Sequence, residues 1–360
     1  MTDSNLFEVR PTLSAQELCL ILKQDLTSFI ERSFYELHPG HRLDLAPHIE
    51  VIATRLEAVR LGEVKRLIIN LPPRHLKSHC VSVAFIAWLL GHHPAKHVIC
   101  ASYGQDLADD LAAACQRLMR SPFYRALFGN VLGGRQAVND FGTIGGGRRL
   151  ATSVGGVLTG RGADIIVLDD PQKTDEALFE TSRKATHTWF DNTLLSRLND
   201  KAQGSIIIVM QRLHCDDLVG HVLEQGGWDV LSMPAIAEVE ECDLIDGPLG
   251  RRFFRRMPGD VLHPARENAE SLTTTRRAIS ELTFASQYQQ NPTSLERLNA
   301  TDAERRRRFY DAYRSNDQLM LGRLWHNRNT GTPEDQITDD QAMTSYQECA
   351  AIFEKLEREI

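Results

Sequence analysis

Between positions 66 and 90 the chain runs from an aliphatic stretch, Leu67-Ile68-Ile69, through Leu71-Pro72-Pro73-Arg74-His75-Leu76 to Lys77-Ser78 and then a long apolar segment. This reads as a buried strand, a short stiff loop and an apolar helix, and it ties the chain to an α/β architecture more tightly than any other stretch. A lysine and a hydroxyl at such a loop-to-helix corner are the residue types that grip phosphates. The loop backbone and the helix N-terminus add N–H donors aimed at the anion. Residues Pro73, Arg74, His75, Leu76, Lys77 and Ser78 are therefore the expected nucleotide contacts. Lys77 would reach the β and γ phosphates and Ser78 would coordinate Mg²⁺. The loop departs from G-x-x-x-x-G-K-[ST], with Leu71 and Leu76 in place of both glycines. Taken alone, it is equally a strand–turn–helix corner with a solvated lysine.

A second segment separates these readings. Arg161 to Pro171 carries Ile165-Ile166-Val167-Leu168 followed by Asp169-Asp170. Four consecutive aliphatic residues suit a strand covered on both faces, as in a parallel sheet. Its end delivers two carboxylates to the sheet's carboxyl edge, where α/β proteins bind ligands. One, Asp169, would hold Mg²⁺ through water, opposite Ser78, and the other, Asp170, would orient or deprotonate an attacking water. The two segments together predict a P-loop ATPase using ATP and Mg²⁺. A third aliphatic run ends at Gln211-Arg212, and Gln211 would sense the γ-phosphate and relay its loss.

Short strands near 66–70, 96–101, 164–168 and 204–209 alternate with helices near 78–91, 105–120, 175–197 and 214–224. Such alternation predicts βαβ units, and the expected fold is an α/β P-loop NTPase of the RecA-like (ASCE) kind, a mostly parallel sheet flanked by helices. An amphipathic helix over about 13–35 and another over about 47–62 precede it. The glycine-rich stretch from about 131 to 156 reads as a β-hairpin. The expected division is a helical segment over 1–40, an ATPase core over 41–240, an associated subdomain or linker over 241–293 and a polar tail over 294–360. Within that tail, 294–340 reads as weakly structured, and Tyr346, Cys349, Phe353, Leu356 and Ile360 fall at helical spacing.

The net charge of −7 excludes a protein that coats nucleic acid through bulk positive charge. DNA contacts must come from local patches such as Arg148-Arg149, Arg251-Arg252 with Arg255-Arg256, Arg276-Arg277 and Arg305 to Arg308. Seven cysteines without C-x-x-C pairing point to reduced thiols in a cytoplasm. His214, Cys215 and His221 read as a helix-surface coincidence. No apolar run approaches the roughly 20 residues that cross a bilayer, and the N-terminus lacks the pattern of a secretory signal.

Taken in order, LIINLPPRHLKS, HVICASYGQDLADDLA, TGRGADIIVLDDP, the run from Ile206 to Glu238, GDVLHPAR and FASQYQQNP resemble the large terminase subunit of tailed double-stranded-DNA bacteriophages or its prophage copies. The resemblance covers residues 40 to 293. It implies an ATP-driven packaging motor in a bacterial host cell, with double-stranded DNA, a small terminase subunit and a portal protein as partners, assembled as a homo-oligomeric ring. It places Arg74 near the γ-phosphate and makes Asp169 the Mg²⁺ carboxylate. Asp170 stands where the family often has a glutamate. Gln211 and Arg212 match a coupling motif, and Arg161 becomes a trans-acting arginine finger. Loss of the first loop glycine is common in this family; Leu76 costs backbone freedom but leaves the N–H donors in place. The family's second domain is an RNase H-like nuclease, and the stretch after 293 is shorter than the roughly 100–200 residues of a typical domain. The expectation is thus a form without that nuclease. A helicase-like DNA-dependent ATPase and an inactive prophage remnant keeping only the fold are the alternatives.

Overall fold

The computed structural model describes residues 14–248, 250–292, 308, 312, 317–330, 333–347 and 350. The chain divides into two compact units, Met1–Pro292 and Thr293–Ile360. The first is built on an eight-stranded sheet. Its strands are β1 (Arg66–Asn70), β2 (His97–Ser102), β3 (Leu132–Ala137), β4 (Asp140–Thr143), β5 (Arg148–Ser153), β6 (Ile165–Asp169), β7 (Ser205–Met210) and β8 (Asp229–Ser232), in the order β3-β4-β5-β2-β6-β7-β1-β8. Pairing is parallel from β5 through β8 and antiparallel in β3-β4-β5. Strand β7 lies between β1 and β6, so the phosphate-loop strand and the acid strand are separated by one strand. The sheet is thus mostly parallel and flanked by helices, the α/β arrangement that the alternation of strands and helices predicts.

The unbroken aliphatic runs exist because both faces of these strands are buried. Leu67, Ile69, Val98, Cys100, Val167, Ile207 and Val209 join the core on one face. Ile68, Ile99, Ile166, Leu168, Ile206 and Ile208 join the core on the other. Alternate side chains of a strand point to opposite faces, so a strand covered twice cannot carry a polar alternation. The first face is covered by α1 (Ala15–Gln24), α2 (Leu26–Leu37), α3 (Pro47–Leu61), α4 (Ile86–His92), α5 (Gln105–Arg120) and α6 (Pro122–Phe128). Trp88 Nε1 donates to Leu22 O at 3.2 Å and pins the N-terminal helices to α4. The second face is covered by α7 (Glu180–Trp189), α8 (Leu218–Gln225) and the turns after α7.

Several sequence expectations change. The helix expected over 13–35 is two, because Asp25 stops α1 and its carboxylate accepts from Thr27 N and Ser28 N as the cap of α2. The helix expected over 175–197 is broken: a short turn, Glu176–Leu178, precedes α7, and a wide turn, Phe190–Leu194, follows it. The glycine-rich stretch makes the meander β3-β4-β5, whose last strand joins the main sheet beside β2. The region after 240, expected as an associated subdomain or linker, opens with an antiparallel hairpin of β9 (Glu241–Gly247) and β10 (Gly250–Arg256) that was not expected, and α9 (Ala269–Ala278) and α10 (Glu281–Thr283) follow it. On β10 the arginines alternate. Arg252 and Arg256 pair with Glu50 and Glu241, and Arg251 and Arg255 face outward, with Arg251 held by Asp246.

In the second unit a helix spans Gln318–Thr330, where a weakly structured stretch was expected. Its Leu321 and Leu324 are buried with Ala312, and Met320 and Tyr346 pack against them. The other positions of the expected terminal helix, Cys349, Phe353, Leu356 and Ile360, lie outside the described residues. Among the described residues, no helix is long and apolar enough to cross a membrane.

Candidate nucleotide site

The loop after β1 adopts a backbone that its sequence resists. Arg74 and Leu76 both take left-handed conformations, with φ of +64° and +62°. Leu76 thus assumes the turn that a glycine provides freely in a phosphate loop, at a cost of about 1–2 kcal/mol for a side-chain-bearing residue. What offsets the strain is packing, since the Leu76 side chain is half-buried against the main core. The strain and the apolar contact act in opposite directions. Leu76→Gly is therefore expected to shift unfolding free energy by no more than about 1 kcal/mol, against about 2–5 for deletion of an ordinary core leucine. Urea denaturation checks this, and a loss of several kcal/mol would show that packing dominates.

From this loop the chain enters a helix at Lys77, and its first full turns, His79–Phe85, are wound in the wider π form. Single-turn π segments within helices often mark functional sites. The start of this helix faces the carboxyl ends of β6 and β7. Ser78 Oγ donates to Asp169 Oδ1 at 2.9 Å, and Ser82 Oγ donates to Asp169 Oδ2. Lys77 Nζ stands 3.1 Å from Asp170 Oδ2. Asp169 is wholly buried, and that burial, with Asp170 beside it, pushes its carboxyl up to about 6 against the pull of Ser82, Lys77 and Ser78. Asp170 has φ +45°, donates its N–H to Val209 O and accepts from Tyr103 N, so its backbone ties together the ends of β7 and β2.

The Ser78 hydroxyl and the Asp169 carboxylate fit a magnesium ion. Two adjacent corners of an octahedron with metal–oxygen distances near 2.1 Å lie about 3 Å apart, which is the spacing of these two oxygens. One hydroxyl and one carboxylate, completed by phosphate and water, is also the sparse protein donor set that Mg²⁺ accepts. No cluster of three or more His, Cys, Asp or Glu placed to hold a metal occurs among the described residues, and His214, Cys215 and His221 form none.

Gln211 follows Met210, whose partner on β1 is Asn70, while Val209 pairs with Asp169. It thus emerges between the phosphate loop and the acid pair, with Nε2 at 3.5 Å from Thr174 Oγ1 on the segment after Asp170. Arg212 turns away from the site. Its Nε donates to both oxygens of the fully buried Asp217, which also accepts from Leu213 N, His214 N and Gly220 N and caps α8. The backbone N–H of Arg212 donates to Gln290 Oε1 at 2.9 Å, and the neighbouring Gln289 grips Ile236 N and O. Two adjacent glutamines of FASQYQQNP thereby hold two separate segments.

Arg161 lies elsewhere. It precedes β6 and lines a cavity with His97, Arg148, Leu150 and Asn199 at the amino end of the sheet. Along β6 that is roughly 13 Å or more from Asp169 at about 3.3 Å per residue. Around it, Asp140 pairs with Arg135 and Arg148; burial pushes the Asp140 carboxyl up, but Arg148, Arg135 and Arg161 hold it below its ordinary value. Arg74 is exposed on the loop, and His75 is buried behind it. His75 belongs to a cluster with His48 and His263, ring centroids 5.6 to 6.3 Å apart. Burial pushes His48 down to about 3 and His75 to about 4.

Sequence reading placed Lys77, Ser78, Asp169, Asp170 and Gln211, and the structure gathers all five at one sheet edge. It missed Ser82, Asp217 and Gln290. Ser82 had a signal: it is the lone hydroxyl in the apolar run Cys80 to Leu90.

No protein-family model and no curated protein matches the chain. Solved structures do. The solved structures it resembles include phage large terminases. One is the large terminase of bacteriophage HK97, at 14% identity over 59% of this chain and 43% of that one, with a TM-score of 0.39. Another is an ATPase-domain mutant of the large terminase of Thermus phage P74-26, at 13% identity over 72% of this chain and 98% of that one, with a TM-score of 0.44. This chain therefore spans less than half of the HK97 terminase.

Proposed function

We propose that this chain is the ATP-hydrolysing motor subunit of a DNA-packaging terminase from a tailed phage or prophage. The observation that carries the reading is the constellation of Lys77, Ser78, Asp169 and Asp170 at the carboxyl edge, with Gln211 emerging between them. The ordered motifs set out above direct the choice among P-loop ATPases. Lys77 binds the β and γ phosphates, assisted by the loop N–H groups from Arg74 to Lys77, and Arg74 lies exposed on the same loop to meet the γ-phosphate. Ser78 and Asp169 hold Mg²⁺, which supplies positive charge to the transferring phosphoryl group. Asp170 exchanges its contact with Lys77 for the attacking water, and Gln211 reports the γ-phosphate to the segment that Gln290 holds.

Arg161 precedes the amino end of β6, the opposite end of that strand from Asp169, and we assign it as a finger acting on a neighbour in a homo-oligomeric ring. Such a residue accelerates phosphoryl transfer by several orders of magnitude. Duplex phosphates give a motor a track that is independent of sequence. A small terminase subunit and a portal protein complete the machine, in the cytoplasm of a bacterial host and away from any membrane.

The test is ATP turnover by the purified chain with and without linear duplex DNA. Turnover stimulated by DNA and lowered by roughly two orders of magnitude or more in Lys77→Ala is the expected result. Equal turnover in wild type and Lys77→Ala would overturn the assignment.

A further inference from the structure

We propose that Ser82 is a positioning residue that fixes the Asp169 carboxylate for Mg²⁺, a role that rests on the nucleotide reading above. Asp169 is enclosed by the sheet and by the helix after the phosphate loop, and its two oxygens have different partners. Oδ1 receives Ser78 and Oδ2 receives Ser82. The carboxylate torsion is broad and nearly two-fold, so burial alone does not decide which oxygen faces the phosphate loop. A donor fixed on one oxygen does decide it. Ser82 is wholly buried and stands on the π-wound segment four residues beyond Ser78, so both hydroxyls reach the same strand end.

The surroundings show that this hydroxyl is not a spare surface group. Cys80, Val81, Val83, Ala84 and Phe85 are all buried and apolar or nearly so. A buried serine in a helix ordinarily returns its hydroxyl to the carbonyl four residues earlier. Ser82 instead spends its one donor on Asp169. With Mg²⁺ bound, the Ser78 hydroxyl would be divided between the metal and Oδ1. The Ser82 hydroxyl would stay committed to Oδ2, leaving Oδ1 as the oxygen that Asp169 presents to the ion. Without it, the carboxylate is free to rotate and the ion loses a prepared ligand.

The experiment is a Mg²⁺ titration of the binding of a fluorescent N-methylanthraniloyl-ADP to wild type, Ser82→Ala, Ser82→Cys and Ser82→Thr, repeated in EDTA. In Ser82→Ala the half-saturating Mg²⁺ concentration is expected to rise about tenfold, with binding in EDTA unchanged. Ser82→Thr, which retains the hydroxyl, is expected to restore the midpoint to within about threefold. Ser82→Cys keeps the volume with a weaker donor, stays informative if Ser82→Ala fails to fold, and is expected to fall between the two. A merely structural serine would lower the melting temperature and leave the Mg²⁺ midpoint where it was. Wild-type midpoints in folded Ser82→Ala and Ser82→Cys would overturn the proposal and leave the nucleotide site standing. Wild-type protein that binds the probe no better than Lys77→Ala would overturn both.

Discussion

Acidifying this protein from pH 6.5 towards 4 is expected to unfold it well before its carboxylates are exhausted. His48 and His75 are buried and His79 is half-buried, and burial holds them at about 3, 4 and 4, against an ordinary value near 6.5. Between those limits the unfolded chain takes up protons that the folded chain refuses. Stability therefore falls as pH drops below 6.5, by about 1.4 kcal/mol per pH unit for each such histidine. Asp169 works in the opposite sense. Its folded carboxyl titrates near 6, above its unfolded value, so protonation favours the fold between about 6 and 4 and offsets roughly one histidine. The net slope is about 3 kcal/mol per pH unit, set against a total of about 5–15 kcal/mol for a typical protein. Urea midpoints measured from pH 7 to 4.5 should trace this fall, and His48→Leu should flatten it by about half. A midpoint that does not move over that range would show that these histidines accept protons in the folded state.

Asp217→Ala should be among the most damaging single changes in the first unit. Asp217 has no exposed surface, and its carboxylate accepts from the Arg212 guanidinium and from three backbone N–H groups. Removing it leaves a nearly buried cation without its partner and uncaps α8 together. Breaking one side of a buried ion pair costs about 3–5 kcal/mol, and an orphaned cap adds about 1. For a unit of this size that lowers the melting temperature by about 10 °C or more. Asp217→Asn retains an acceptor for the cap and loses the charge, so it should fall between. Thermal unfolding decides the matter, and an unchanged melting temperature in Asp217→Ala would mean that the turn after β7 tolerates a free arginine.

The parts of the fold that could be read from the sequence are those in which one physical requirement acts alone. Runs such as Ile165 to Leu168 are aliphatic because both faces of the sheet are covered, so the parallel strands declared themselves. Lys77, Ser78, Asp169 and Asp170 could be expected together because a loop-to-helix corner and a buried strand end deliver those residue types to one sheet edge, where the structure brings them within contact. The hairpin of β9 and β10 was not legible. Its inner face packs on α3 and its outer face carries Arg251, Phe253 and Arg255, so charge overlies the alternation that marks a strand. Ser82 was missed because its one signal, a lone hydroxyl in an apolar helix, names no role until its partner is placed, and that partner lies 87 residues away. Asp25 was passed over because the apolar spacing continues across it, although its cap ends the helix.

The two outermost strands determine how copies of this chain can meet. Strand β3 carries a register shift between Leu132 and Gln136, and β8 at the other margin has only 4 residues. A bulged strand and a very short one are poor templates for adding a further strand. Growth of this sheet from one molecule into the next is disfavoured at both margins. An assembly of such chains across these margins would then rest on side chains and connecting segments, contacts that can open and close without tearing a ladder of backbone hydrogen bonds.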